Sequence, residues 1–284
     1  MKITDVKVFQ TEGAYATWTF VKVYTDSNLT GVGEATLEWK DQSLKAQIEE
    51  FGDLILGQDP HQIEHIWTLL HRRKFWGGGP LALSAISGIE QALWDIKGKA
   101  LGVPVYQLLG GKMRDRIRLY ANGWFFGAET PQDFARMAKE TVAQGFTALK
   151  WDPFRNGGQA IPKEEEEFAI ESVRRVREAV GPRVDLLIEC HGRFNMWSAV
   201  RMAEKLQPFD PFFYEEPVLH DNVDAMANIA QSIRIPVATG ERLYTRWDYR
   251  PLLEKQAARI IQPDICHAGG IMELKKIAAM AEAY

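Results

Sequence analysis

Residues 186–193 read Leu-Leu-Ile-Glu-Cys-His-Gly-Arg, a short apolar run that ends on an acid and then breaks at a glycine. The same grammar returns at 212–217, Phe-Phe-Tyr-Glu-Glu-Pro, and at 237–243, Val-Ala-Thr-Gly-Glu-Arg-Leu. Runs this short and apolar read as buried strands of a parallel sheet, with amphipathic segments between them as the returning helices. Glu189, Glu215 and Glu241 are spaced 26 residues apart at both steps, the length of one β/α unit. Each acid is therefore expected at the corresponding place on neighbouring strands. A β/α barrel forms its active site at the C-terminal strand ends, so the three carboxylates should converge there. Packed anions repel unless a divalent cation neutralises them, and all-oxygen ligation suits Mg²⁺. Glu216 points the other way along its strand and reads as structural.

Working outward, further strands are expected at 117–121, 148–151 and 260–262, with helices such as 131–143, 163–180 and 197–206 between them. Six β/α units can be counted, whereas a closed barrel of this type has eight. The run Lys163-Glu164-Glu165-Glu166-Glu167 reads as the acidic first turn of a solvated helix. Upstream of Gly110-Gly111 the pattern differs. Apolar and polar residues alternate around Val6 to Val8, at 19–24 and at 31–35, with Asp26, Ser27 and Asn28 as a turn, which predicts a small antiparallel sheet. Helical spacing follows at 43–56, 60–73 and 84–101, and the three glycines at 77–79 read as a break between a helix and a loop. The expectation is an α/β protein: an N-terminal α+β capping domain over 1–111 and a partial TIM-type barrel over 112–284.

Composition narrows the partners. The 284 residues carry 34 Lys and Arg against 38 Asp and Glu, a net charge of -4, which gives no field to draw the chain onto nucleic acid or an anionic membrane. No run approaches the roughly 18 apolar residues of a membrane span, and the charged N-terminus does not resemble a signal peptide. Two isolated cysteines, Cys190 and Cys266, make no disulfide framework. A cytoplasmic protein acting on a small molecule is expected.

Other residues fall beside the acids. His191 lies two residues past Glu189, which by strand alternation puts both side chains on the inward face. A histidine there can act as a general acid toward a departing hydroxyl. Lys150 and Asp152, in Leu-Lys-Trp-Asp-Pro-Phe, share one face of the second strand; Lys150 can orient a substrate carboxylate, and Asp152 is a candidate substrate-binding residue. Arg193 and Arg242, each just past a ligand candidate, can contact substrate or brace the glutamates. His267, three residues after Asp264, is a further candidate on the substrate side. His61, His65, His71 and His220 read as surface or helix residues.

With these residues in hand, the chain resembles the mandelate racemase branch of the enolase superfamily, in particular its galactonate dehydratase-like acid-sugar dehydratases. The resemblance is carried by Thr-Gly-Val-Gly-Glu-Ala at 30–35, the stretch 77–99, Leu-Lys-Trp-Asp-Pro-Phe at 149–154, the three acid-bearing motifs and Ile-Ile-Gln-Pro-Asp-Ile-Cys-His-Ala-Gly-Gly-Ile at 260–271. It implies that Glu189, Glu215 and Glu241 hold Mg²⁺, that His191 helps the hydroxyl leave, and that loops near 17–20 and Trp39 close over the substrate. It also implies abstraction of the proton α to a carboxylate, loss of the β-hydroxyl to give a 2-keto-3-deoxy acid, and a symmetric homo-oligomer. Two departures follow. The second lysine used by racemases is Asp152 here, which disfavours two-base racemisation. Asp264 matches the sixth-strand aspartate, but the seventh-strand histidine it would pair with, and the eighth-strand acid, have no counterpart in these residues. The chain thus reads as a truncated dehydratase. An epimerase or cycloisomerase of the same fold, or a catalytically incomplete fragment that binds Mg²⁺ or sugar acid only, are the alternatives.

Overall fold

The computed structural model describes residues 1–13, 15–72 and 76–284. In chain order the elements are β1 (Ile3–Glu12), β2 (Thr17–Thr25), β3 (Thr30–Glu34), α1 (Asp41–Ile55), α2 (Ile63–Arg72), α3 (Gly79–Leu101), α4 (Val105–Leu108), α5 (Pro131–Ala143), β4 (Ala148–Trp151), α6 (Lys163–Val180), β5 (Asp185–Glu189), α7 (Met196–Leu206), β6 (Phe213–Glu215), α8 (Val223–Ser232), β7 (Val237–Thr239), α9 (Thr245–Glu254), β8 (Ile260–Ile261) and α10 (Ile271–Ala283). Contacts group them into two compact units: Met1–Asp115 with Glu241–Arg250 and Pro263–Ala283, and Arg116–Gly240 with Pro251–Gln262 and Tyr284. The division into 1–111 and 112–284 is retained as a proposal for the folding units.

In the first unit β1, β2 and β3 form an antiparallel sheet in sequential order, turning at Asn28 with φ 62°. Its buried face, including Val21 and Val23, packs with Ile48 and Ile55 of α1 and with Ile86, Ile89 and Leu93 of α3 in one apolar cluster. Each such side chain contributes about 1.5–3 kcal/mol when removed from water. The motif at 30–35 is decided by this contact. A Cβ on Gly31 would stand 1.9 Å from the Ala92 carbonyl oxygen and one on Gly33 2.0 Å from that of Gly88, so only glycine lets β3 lie this close to α3. Helix side chains then complete the strand edge: Val32 N donates to Asp95 (2.9 Å), Glu34 N to Gln91 (3.2 Å), and Gln91 donates back to the Glu34 carbonyl (2.9 Å). Helix α3 begins five residues before the expected 84, because Gly78 serves as its N-cap and Pro80 is tolerated in a first turn. The final residue of the expected helix 60–73, Arg73, lies outside the described residues. Residues 17–20 are not a loop but the first half of β2, paired with β1 throughout and with β3 at Phe20, whereas Trp39 is exposed at φ 60°.

In the second unit β4 to β8 form a parallel sheet in sequential order, the succession of a β/α barrel. Five of the six expected strands pair. The segment 117–121 is not a strand: only Ala121 bridges, to Leu149, through bonds of 2.9 Å to Ala148 and Lys150, and Ile117 and Leu119 stay exposed. Alternation without a ladder does not make a strand. Helix starts follow the local sequence: Thr130 and Asp133 make a capping box at α5, Asn195 caps α7 and Asn222 caps α8. The acidic turn of α6 is only partly solvated, since Glu166 is fully buried and bonded to Arg201 and Lys205. The two cysteines are free, with Cys190 buried. Among the described residues no helix is long and apolar enough to cross a membrane.

Candidate metal and catalytic site

Ala148, Leu187, Phe213 and Ala238, with Ile260 against them, form an apolar layer inside the sheet. Side chains two residues on share the same face of a strand. Stepping forward from Ala148, Leu187 and Phe213 therefore reaches Lys150, Glu189 and Glu215, and these three meet. Lys150 Nζ donates to Glu189 Oε2 at 2.8 Å and to Glu215 Oε2 at 2.9 Å, and all three side chains are buried. Oxygens of Glu189, Glu215 and Glu241 lie within 4.8 Å of one another.

Equal spacing does not mean equal place. Glu189 and Glu215 are ladder partners, as expected, but the partner of Glu215 on β7 is Ala238. Glu241 follows three residues later, past Gly240, whose φ of 137° belongs to glycine. The inward position two beyond Ala238 is Gly240 itself. Glu241 therefore stands in the turn after β7, one residue beyond that glycine, and not on the ladder itself.

The electrostatics favour a cation. Burial raises the Glu215 carboxyl well above its ordinary range, and the Glu189 charge beside it adds to that, against the pull of Lys150. For Glu189 burial acts in the same sense, but the Lys150 charge, His191 and backbone hydrogen bonds outweigh it and lower its pKa. Burial alone would discharge Lys150; the two carboxylates reverse this and raise its pKa. Three oxygen donors converging beside one ammonium is a donor set that fits a hard divalent cation.

Strand β5 ends at Glu189, so alternation is not what places His191. Its backbone turns at φ 51°, followed by Gly192 at 68°. Glu189 Oε1 accepts from the N–H groups of Cys190 (2.9 Å) and His191 (2.7 Å), which fixes the turn. The His191 ring, whose side chain is 56% exposed, meets the Asp152 carboxylate, with Nδ1 2.8 Å from Oδ2. Arg193 donates to that carboxylate and to the carbonyls of Cys190 (3.0 Å) and Arg155 (2.8 Å), so its hydrogen bonds go to protein groups. A cavity of about 400 Å³ opens over these residues, lined by Lys150, Asp152, Glu189 and His191 together with Asn122, Phe125, Phe126 and Arg155.

Those last four are absent from the sequence-based set. The signal that marks the two phenylalanines is the run Trp124-Phe125-Phe126 in a glycine-flanked loop just after Ala121. Trp124 ties that loop down by donating to the Lys150 carbonyl at 2.9 Å.

Asp264, Arg242 and His267 lie in segments of the first unit. Asp264 caps its own turn, accepting from Cys266 N at 2.7 Å. His267 Nδ1 is 2.9 Å from Ser84 Oγ, while Nε2 is 3.9 Å from Asp264. Ser84 uses its only proton on the Pro80 carbonyl at 2.7 Å, so the shared proton is on His267 Nδ1. Arg242 is half-buried just past Glu241.

Comparison with known proteins agrees with this arrangement. Residues 133–284 match the enolase C-terminal domain-like family, and residues 4–110 match the N-terminal domain of the mandelate racemase / muconate lactonizing enzyme family. A D-galactonate dehydratase of Ralstonia pickettii is 40% identical over all 284 residues, which span 73% of its length. That of Pectobacterium atrosepticum matches at 40% with the same coverage. Among solved structures, a protein from Mesorhizobium loti superposes with a TM-score of 0.97 at 41% identity, covering all of this chain and 78% of that one. A member of the enolase superfamily from Salmonella Typhimurium gives 0.95 at 36%, with 100% and 78% covered.

Proposed function

This chain belongs to the mandelate racemase / muconate lactonizing enzyme family, and we propose that it is a hydro-lyase removing water from a sugar acid, an aldonate of the galactonate type, to give a 2-keto-3-deoxy acid. The observation that carries the reading is the convergence of Glu189, Glu215 and Glu241 within 4.8 Å, one turn from His191. Mg²⁺ held by these three would supply positive charge against the charge that collects on the substrate carboxylate as a general base takes its α-proton. Lys150, at the base of the cavity, orients that carboxylate. His191 gives a proton to the β-hydroxyl, so that the carbon–oxygen bond breaks with its electron pair on oxygen and water departs.

The other residues take supporting parts. Arg242 is proposed as a substrate contact. Asp264 and His267 hold the turn after β8, and Arg193 braces the turn after β5. The setting is a cytoplasmic homo-oligomer. The names of the dehydratase relatives support the reaction class.

The test is a panel of aldonates and aldarates offered with Mg²⁺. Dehydration yields a 2-keto acid lighter by one water. An isomer of unchanged mass would replace the proposal with epimerisation, and Mg²⁺ binding without turnover would replace it with a binding role.

A further inference from the structure

We infer that Asp152 is a positioning residue that holds the His191 ring with Nδ1–H directed at its own carboxylate, so that Nε2 is the nitrogen that exchanges a proton with the substrate. The inference rests on the proposed role of His191 and assigns the atom through which it acts and the group that selects it.

The His191 side chain is 56% exposed, and its backbone lies in the left-handed region, so strand alternation does not dictate its direction. Arg193 Nη2 also stands 3.4 Å from Nδ1, a longer approach than the 2.8 Å to Asp152. Asp152, by contrast, is only 13% exposed and firmly held. Its Oδ1 accepts from Phe154 N at 2.9 Å, and its Oδ2 accepts from Arg193 as well as from the His191 side. Arg193 is itself anchored on two backbone carbonyls. Beneath the pair the buried rings of Phe154 and Phe194 meet edge to face at 4.9 Å, which clamps the loop after β4 to the loop after β5. The separation of Asp152 and His191 is thus set by parts that do not move with the ring.

A neutral imidazole has one N–H, and a fixed acceptor at Nδ1 keeps it there. The same logic governs histidines oriented by a carboxylate in metal sites and catalytic triads. In the proposed step His191 starts as the imidazolium, protonated on both nitrogens, and delivers its Nε2 proton to the hydroxyl oxygen; the carbon–oxygen bond breaks with its electron pair on oxygen, water leaves, and the ring remains as the neutral Nδ1–H form. A proton from solvent restores it. Asp152 gives up no proton and touches no reacting atom. This differs from a substrate-binding part for Asp152, the role its place on the strand first suggested.

The experiment compares the wild type with Asp152→Asn and Asp152→Glu, by steady-state kinetics and by ¹⁵N spectra of histidine-labelled protein, with His191→Asn identifying the His191 signals. An asparagine can turn its NH₂ toward Nδ1, which then must accept. The expected result is a fall in kcat of about a hundredfold with KM changed less than about threefold, a shift of His191 from the Nδ1–H to the Nε2–H form, and partial recovery of both in Asp152→Glu. A raised KM with unchanged kcat would make Asp152 a substrate contact and overturn the inference, as would a His191 spectrum that the asparagine leaves unaltered. If Asp152→Asn fails to fold, Asp152→Glu decides alone through the same spectrum. If the wild type turns over no sugar acid, the proposed function falls, and the ring spectrum still decides whether Asp152 selects the tautomer.

Discussion

His191 and His267 each stand beside an aspartate just past a strand, and the two loops use the pair in opposite ways. In the loop after β5 the aspartate comes from the start of the loop after the neighbouring strand β4, at 2.8 Å, and the ring is exposed to a cavity. In the loop after β8 the aspartate belongs to the same turn, spends its carboxylate on Cys266 N, and stands 3.9 Å from a ring that bonds Ser84 instead. In the proposed function the same two side chains serve chemistry in one place and a turn in the other. What separates them is where the carboxylate's other hydrogen bonds go.

The comparison is sharpened by substitutions whose effects should divide cleanly between turnover and stability. The largest effect is expected from Glu215→Gln, which removes a carboxylate from the converging three. Turnover should fall about a thousandfold, as for loss of a main electrostatic group, and Mg²⁺ affinity by calorimetry should fall with it.

Next is Gly270→Ala in the second loop. Its φ is 93°, and a Cβ would lie 2.2 Å from Glu90 Oε2, so denaturant unfolding should show a loss of about 3 kcal/mol. Glu90 cannot retreat: it is buried and accepts from Ile271 N (2.8 Å), Met272 N (2.9 Å) and Trp94 (2.6 Å), holding the first turn of α10.

Glu90 also makes a pH signature. Burial pushes its pKa up to about 7, against the backbone bonds that favour the charge. Because the folded value lies above the unfolded one, its stabilising effect is complete below about pH 4.5 and is lost as pH rises to about 7. The total is on the order of 3 kcal/mol at about 1.36 kcal/mol per pKa unit. Urea midpoints measured across that window should decline in the wild type and flatten in Glu90→Gln. A slope that survives the substitution would locate the effect elsewhere.

The smallest pair separates the two histidines directly. His191→Asn should cost about a hundredfold in kcat without moving the melting temperature. His267→Asn should lower the melting temperature by about 2–4 °C, from loss of about 1 kcal/mol, with kcat within about threefold. A reversal of these outcomes would exchange the roles of the two loops.

Much of this was legible in the sequence, and the reasons for the rest are specific. The sheet and helices of the first unit follow from period 2 and period 3.6, because their buried faces are continuous. Glu189, Glu215 and Glu241 were legible through spacing, although Glu241 arrives by a different route from the other two. The position of His191 depends on a left-handed turn that alternation does not encode. Its partnership with Asp152 depends on which strand lies next to which, with Trp151 opposite Ile188, information that no single stretch contains. Asn122, Phe125, Phe126 and Arg155 sit on irregular segments, where periodicity has nothing to say. The segment 117–121 erred the other way, since its alternating pattern found only one bridge.

The placement of Glu241 beyond the β6–β7 ladder bears on transplantation. Someone copying this centre into another parallel scaffold by placing acids on neighbouring strands at matched heights would put the third at Ala238, directly beside Glu215. That residue belongs to the apolar layer, so the graft would bury a lone charge in the packing below instead of completing the ring above. The portable unit is the strand end together with Gly240, the hinge that lifts Glu241 out of the sheet.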